Sequence, residues 1–311
     1  MGKMDKQLSD SAAKGQQDSP FLIVNESAYQ CWREQKLADY PCTESELIVD
    51  IADPGELTES EKSIMLDLIK RSNMLIYNSK IGSSEDKNIP RKFGKQLGLT
   101  QLDPNMLADD DGITSLSVVP GKLKRGYIPY SNRRLLWHTD GYYNTPEQQI
   151  RAFILHCVRP ANEGGSNALI DPEMVYIQLR DKNPDYIRAL MHPQAMTIPA
   201  NTESGEETRA AQSGPVFSLD IESNRLHMRY TARTRSIEWR DDSLTKQAVD
   251  YLSELLDDEN PYVFNHILSS GQGLICNNVL HSRTAFSDEG GEGDGRLLYR
   301  ARYYERISDD L

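Results

Sequence analysis

Short apolar runs bounded by turn-forming residues dominate the chain from about residue 112 onward. Segments such as QIRAFILHCV, PVFSLDI, QGLICNN and LLYRARYY are strand-like, and Gly, Pro, Asn or Asp flank them. Many short strands of this kind favour a double-sheet jelly roll over a parallel α/β sheet. The hydrophobic pattern therefore predicts a mainly β protein.

Helical patterns interrupt and precede these strands. Thr58 to Glu61 reads as a capping box, and the apolar spacing behind it predicts one buried helix face: Ile64, Met65, Leu68 and Ile69. The stretch SLTKQAVDYLSELLDDE is a second amphipathic helix. We predict a flexible tail over residues 1–20 and a single domain over 21–311, with helical insertions near 171–215 and 241–258.

Composition narrows the environment and the partners. The chain carries a net charge of −12, which disfavours nucleic acid and anionic membranes as partners. No run approaches the roughly 20 apolar residues of a membrane helix, and no secretory signal precedes the domain. Cys157 and Cys276 lie in apolar runs and are predicted to be buried thiols, as expected of a protein in the reducing cytoplasm.

One pair of residues has the spacing of metal ligands. His138 and Asp140 are two residues apart in LLWHTDGYY, so on an extended segment their side chains point to the same side. Two histidines and one carboxylate form the facial triad that suits iron(II), and His281, in a distant strand-like segment, is the candidate third ligand. Zinc in a hydrolase can use the same ligands, so that alternative stays open.

Two arginines follow the third candidate ligand. Arg296 lies 296 − 281 = 15 residues after His281, and Arg300 lies four residues further on. Arginine binds a carboxylate through two parallel hydrogen bonds and keeps its charge when buried. The even spacing predicts that both arginines face the same side of a strand.

Four ordered segments carry a family resemblance: WHTDG, EGGSNALID, GQGLICNNVLHSRTAF and GRLLYRARYY. Together they resemble the taurine-dioxygenase/clavaminate-synthase-like superfamily over roughly residues 110–305. The sequence of the C-terminal half is similar to that of glutarate hydroxylases. The resemblance implies a double-stranded β-helix that uses iron(II), 2-oxoglutarate and O₂. It implies His138, Asp140 and His281 as metal ligands. It also implies that Arg296 binds the distal carboxylate of 2-oxoglutarate, with Arg300 close by and Asn167 as a further contact.

The implied reaction is hydroxylation of an unactivated C–H bond of a small metabolite, anionic or amino-acid-like, with release of succinate and CO₂. Desaturation, cyclisation and a non-catalytic binding module that kept the fold are the alternatives. Asp140 favours hydroxylation, since related halogenases have a small residue there. A homo-oligomer is compatible with the sequence. The residues predicted to contact substrate are Tyr142, Tyr143, Arg229, Tyr230 and Arg233.

Overall fold

The computed structural model describes most of the chain. The described residues are 19–104, 112–118, 128–203, 206–221, 223–233, 237–257, 259–288 and 295–308. Most of the predicted tail over residues 1–20 lies outside them. The chain divides into two compact units: a larger unit formed by Pro41–Asp171 and Pro261–Leu311, and a smaller unit formed by Met1–Tyr40 and Pro172–Asn260. The single-domain organisation stays a prediction.

The described elements comprise helices and short strands. The helices are α1 Glu26–Asp39, α2 Glu59–Ser72, α3 Asn88–Gln96, α4 Pro172–Lys182, α5 Pro184–Leu190 and α6 Ser243–Leu255. The first strands are β1 Ile48–Ile51, β2 Met74–Ser79, β3 Thr114–Leu116, β4 Leu135–His138, β5 Ala152–Arg159, β6 Glu163–Gly164 and β7 Asn167–Ile170. The central strands are β8 Met196–Ile198, β9 Asn201–Glu203, β10 Glu206–Arg209, β11 Gln212–Gly214, β12 Phe217–Asp220, β13 Arg225–Met228 and β14 Glu238–Trp239. The last strands are β15 Phe264–His266, β16 Gln272–Cys276, β17 Leu280–Arg283, β18 Phe286–Ser287 and β19 Leu297–Tyr303.

Two sheets form the core of the larger unit. One has six strands in the order β1-β2-β16-β5-β19-β3, and the other has four in the order β15-β7-β17-β4. All neighbours in them pair antiparallel except β1 and β2. Strand β5 is buried over all but its last residue, which explains its nearly unbroken apolar sequence. The Phe153 ring on β5 lies 4.7 Å from the His281 ring on β17, so the two sheets meet at the predicted ligand.

The smaller unit is held together by buried charged side chains. The guanidinium of Arg180 on α4 donates to the Pro20 carbonyl at 2.8 Å and lies 3.8 Å from the centre of the Tyr29 ring. Lys36 on α1 forms a buried ion pair with Glu173 on α4 at 2.5 Å. Because a buried charge is costly without a partner, these contacts fix the segment from Pro20 to Lys36 against α4.

Several predicted elements are confirmed, with two differences. The capping box is present, since Thr58 Oγ1 accepts from the Glu61 amide at 3.2 Å and the Glu61 carboxylate accepts from the Thr58 amide at 2.7 Å. Ile64, predicted to be buried, is 53% exposed because it lies at the edge of the buried stripe on α2. The predicted helical insertion near 171–215 is helical only as far as Leu190, and short strands follow it.

Two expectations from composition concern cysteines and membranes. Cys157 and Cys276 are free and buried, as predicted, whereas Cys31 and Cys42 are free and exposed. Within the described ranges, no helix combines the length and the apolar character needed to cross a membrane.

Candidate metal centre

Strand pairing brings the three predicted ligands together. The antiparallel register of β17 and β4 places His281 directly opposite His138, and their ring centres are 4.2 Å apart. Asp140 lies two residues after His138, just beyond the end of β4. One ligand atom from each of these three buried residues lies within 4.8 Å of the other two. This is the compact donor cluster that the HxD spacing and His281 predicted.

Backbone contacts fix how the two histidines present their rings. His138 Nδ1 lies 2.9 Å from the Leu136 carbonyl, and His281 Nδ1 lies 3.0 Å from the Val279 carbonyl. A carbonyl only accepts, so each Nδ1 carries the hydrogen and each Nε2 presents its lone pair. Burial, together with the neighbouring His281, lowers the pKa of His138 to about 3, and burial also lowers the pKa of His281. Both rings are therefore neutral near pH 7, the form that binds a metal.

Asp140 completes the donor set as an ionised carboxylate with one free oxygen. Its Oδ1 accepts a hydrogen bond from Arg300 Nη1 at 3.0 Å, and Arg302 Nη1 lies 4.0 Å away. Burial alone would raise the pKa of Asp140, but the two arginines outweigh it and hold that pKa at about 2. Within the described part of the chain, the buried Oδ2 has no hydrogen-bond partner. Two neutral imidazoles and this free oxygen fit an iron(II) ion with open coordination positions.

A second charged cluster surrounds Phe286. The guanidinium carbons of Arg283 and Arg296 lie 4.7 and 5.0 Å from the centre of its ring. Burial, together with the charge of Arg296, lowers the pKa of Arg283 to about 9, and burial lowers the pKa of Arg296. Among the described residues, no acidic side chain forms an ion pair with either arginine. Arg283 Nη2 donates to the Ser131 and Arg133 carbonyls, so Arg296 is the cation of this pair that is better placed to bind an anion.

The other two residues predicted to bind 2-oxoglutarate have different surroundings. Asn167 is buried on β7 opposite Arg283, and its amide nitrogen lies 3.5 Å from the His266 carbonyl. Arg300 pairs with Asp140, whereas the guanidinium of Arg296 lies against the Phe286 ring. The shared face of the two arginines and the contact of Arg300 with 2-oxoglutarate both stay predictions.

Two of the predicted substrate contacts border the metal cluster. The Tyr142 ring centre lies 6.5 Å from that of His138 and 5.2 Å from that of Tyr143. The Tyr143 hydroxyl accepts a hydrogen bond from Arg302 at 3.1 Å. Both tyrosines are partly exposed, so each has surface available to a ligand.

The other three lie in the smaller unit. The guanidinium of Arg229 donates to backbone carbonyls of Met196, Gln212, Gly214 and Pro215. Tyr230 is buried, with its ring centre 6.3 Å from that of Trp239. These contacts give Arg229 and Tyr230 a packing role, and contact of either residue with substrate stays a prediction. Arg233 is partly exposed, and its role in substrate binding stays a prediction.

Sequence reasoning missed three residues of the centre: Arg283, Arg302 and Asn278. Arg283 follows His281 by two residues, and Arg302 follows Arg300 by two, so the spacing that revealed Asp140 could have revealed both. Asn278 had only a weak signal, the Asn-Asn turn before His281. Its carboxamide contacts the Asp140 backbone, which lies 138 residues away in the chain.

The family assignment rests on a match to most of the chain. The family model described as "Taurine catabolism dioxygenase TauD, TfdA family" matches residues 35–302, which include both candidate ligand motifs. The chain belongs to the TauD/TfdA family of dioxygenases. This membership confirms the predicted resemblance and removes the zinc hydrolase alternative.

Two curated relatives share a name. A uridine-5'-phosphate dioxygenase of Amycolatopsis sp is 33% identical over 177 residues, which are 55% of this chain and 61% of that protein. Another of Streptomyces sp is 28% identical over 163 residues, covering 49% of this chain and 56% of that one. The chain thus matches somewhat more than half the length of each relative.

Solved structures agree on the fold. A non-heme iron oxygenase, OrfP, solved with Fe and alpha-ketoglutaric acid, has a TM-score of 0.58 at 16% identity and covers 80% of this chain and 81% of its own. An asparagine oxygenase solved with Fe(II), 3-hydroxyasparagine and succinate has a TM-score of 0.54 at 16% identity, covering 75% and 74%. These likenesses confirm the predicted mainly β jelly roll, a double-stranded β-helix.

Proposed function

We propose that this chain is an iron(II)- and 2-oxoglutarate-dependent dioxygenase that oxidises a C–H bond of a nucleoside 5'-monophosphate. One observation carries the reaction class. The neutral rings of His138 and His281 and the unpartnered Oδ2 of Asp140 converge on one point in a chain of the dioxygenase family.

Each part of the centre has a task in this proposal. His138, Asp140 and His281 hold the iron, and Arg296, with Asn167 beside the same cluster, holds the distal carboxylate of 2-oxoglutarate. Iron with 2-oxoglutarate and O₂ supplies oxidation of a C–H bond coupled to formation of succinate and CO₂. The protein positions these groups and sets their charge. Arg300 keeps Asp140 ionised and fixes the orientation of its carboxylate, and backbone carbonyls keep the hydrogen of each histidine on Nδ1.

The substrate class rests on the relatives and on charge. Both curated relatives are named for uridine 5'-phosphate, an anion. A chain of net charge −12 repels anions at long range, so an anionic substrate needs local cations. Arg300 is ion-paired with Asp140 and Arg302 with Asp103, so a phosphate would have to compete with these carboxylates for both guanidinium groups. Tyr142 and Tyr143 offer ring surface to a base or a sugar. A free amino acid is the second candidate substrate. The asparagine oxygenase was solved with 3-hydroxyasparagine, and OrfP was also solved with (3S)-hydroxy-L-Arg.

A substrate comparison tests the proposal. The purified protein, loaded with iron(II), is incubated with 2-oxoglutarate, O₂ and either uridine 5'-phosphate, uridine, asparagine or arginine, and succinate is measured. We expect succinate above the uncoupled background only with the nucleotide, and none from the His281→Ala variant. Uridine is the matched control for the phosphate. Succinate driven by an amino acid would contradict the substrate class, and none with any candidate would favour the binding-module alternative.

The product identifies the type of oxidation. Under isotopically labelled O₂, hydroxylation transfers one labelled oxygen to the product or to a fragment derived from it. Desaturation or cyclisation removes hydrogen without adding oxygen. We expect labelled product, and an unlabelled product that has lost two hydrogens would instead identify desaturation or cyclisation. Cytoplasmic location, the absence of nucleic-acid and membrane partners, and homo-oligomer formation stay predictions.

A further inference from the structure

The turn that precedes His281 contains a buried asparagine in an unusual backbone conformation. Asn278 lies between β16 and β17, is 3% exposed and has a φ of 50°. This left-handed region is uncommon for residues other than glycine, and asparagine is among those that tolerate it best. The turn connects β16 of the six-stranded sheet to β17 of the four-stranded sheet.

The carboxamide forms three hydrogen bonds to the segment that carries the other ligands. Its Oδ1 accepts from the Asp140 amide at 2.8 Å. Its Nδ2 donates to the Asp140 carbonyl at 3.0 Å and to the Ile150 carbonyl at 2.6 Å. Both backbone groups of Asp140 are thus satisfied by one side chain.

These bonds replace a missing strand neighbour. Strand β4 ends at His138, so the backbone of Asp140 lies beyond the β4–β17 ladder although it is buried. Buried amide and carbonyl groups require partners. The side-chain carboxamide of Asn278 takes the place of a neighbouring strand for the backbone of Asp140. Asn278 lies three residues before His281.

We propose that Asn278 is a positioning residue of the metal centre, which sets the place of the Asp140 carboxylate relative to His281. This inference rests on the proposed function. The turn leads directly into the strand that carries His281, and its Asn278 side chain is hydrogen-bonded to the backbone of Asp140. Without the carboxamide, Asp140 keeps its ion pair with Arg300, but its backbone is no longer held at a fixed position relative to β17.

The neighbouring residue provides a matched control. Asn277 is buried in the same turn, and its carboxamide accepts from the Ile307 amide at 3.0 Å and donates to the Ile307 carbonyl at 3.2 Å. It also contacts Asn73. Asn277 therefore anchors the C-terminal segment, and within the described part of the chain its carboxamide forms no hydrogen bond to the ligand segment. Its loss should affect stability without affecting the metal.

Cobalt(II) binding to the metal-free full chain, without 2-oxoglutarate, measures the effect without turnover. The variants are Asn278→Gly, in which glycine keeps the positive φ without strain, Asn278→Asp, which keeps one acceptor and loses both donors, and Asn277→Ala. Circular dichroism and Tm report folding, and the visible cobalt spectrum reports the ligand set. We expect folded Asn278→Gly to bind cobalt about 10-fold to 100-fold more weakly with an altered spectrum.

We expect Asn277→Ala to lower Tm while its cobalt affinity stays within about 3-fold of wild type. That change is well below the loss expected for Asn278→Gly. Wild-type affinity and spectrum in folded Asn278→Gly and Asn278→Asp would overturn the proposal. Unfolding of both Asn278 variants would also overturn it, because Asn278 would then hold the fold and not the ligand. A wild-type chain that binds cobalt but forms no succinate with iron(II) would refute the proposed function alone, and one that binds no cobalt would refute both.

Discussion

Replacing Arg300 with methionine should destabilise the metal-free protein by about 3 kcal/mol. Arg300 Nη1 lies 3.0 Å from Asp140 Oδ1, and the two side chains are only 10% and 4% exposed. Removing one partner of a buried ion pair costs about 3–5 kcal/mol, because the other charge stays buried without compensation. We expect the lower end of that range, since Arg302 remains 4.0 Å from the same oxygen. The pKa of Asp140 should then rise above its present value of about 2.

Thermal and urea denaturation at pH 7 measure this loss in Arg300→Met, Asp140→Asn and the double variant. The coupling energy from the double-mutant cycle should exceed about 1 kcal/mol. A divalent metal on Asp140 supplies positive charge, so saturating cobalt(II) should restore more Tm to Arg300→Met than it adds to wild type. Arg296→Met is the control, because it removes a buried arginine that is near the like charge of Arg283 and the opposite charge of Asp288 but has no ion pair as close as that of Arg300. Additive effects, or equal losses in both arginine variants, would refute the reasoning.

Two further predictions concern the cosubstrate and pH. Arg296→Lys should raise the 2-oxoglutarate concentration for half-maximal succinate formation by about 10-fold or more, because an ammonium replaces a guanidinium that donates two parallel hydrogen bonds. An unchanged 2-oxoglutarate requirement would exclude Arg296 from the cosubstrate site. Metal-free protein should lose stability as pH falls from 7 to 5, since unfolded histidine takes up protons near pKa 6.5 whereas burial holds the pKa of His138 at about 3. The loss should be about 2 kcal/mol for His138 at pH 5, with His281 adding to it, and a His138→Gln variant should show a flatter Tm profile over that range.

The sequence predicts the candidate ligands because their spacing is local. His138 and Asp140 are two residues apart, and strand alternation is enough to place both on one side. His281 required only the assumption of a neighbouring strand, and the register of β17 with β4 agrees with it.

The supporting residues could not be predicted in the same way. Asn278 acts through a residue 138 positions away, and its role depends on the bend of one turn. Arg300 lies beside Asp140 and Arg296 beside Phe286, and the spacing of the two arginines does not predict either neighbour. Arg229 resembled a ligand-binding arginine, but its guanidinium donates to the backbone carbonyls of Gly214 and Pro215. Local pattern identifies candidate chemistry, whereas long-range pairing decides which charges are available to a ligand.

Anaerobic titration of the metal-free chain with iron(II) and 2-oxoglutarate tests the central claim most directly. We expect a weak visible charge-transfer band that needs both components, is absent from His281→Ala and requires more 2-oxoglutarate in Arg296→Lys. Tight iron binding without a band at saturating 2-oxoglutarate would contradict the assignment of this centre to 2-oxoglutarate-dependent oxidation.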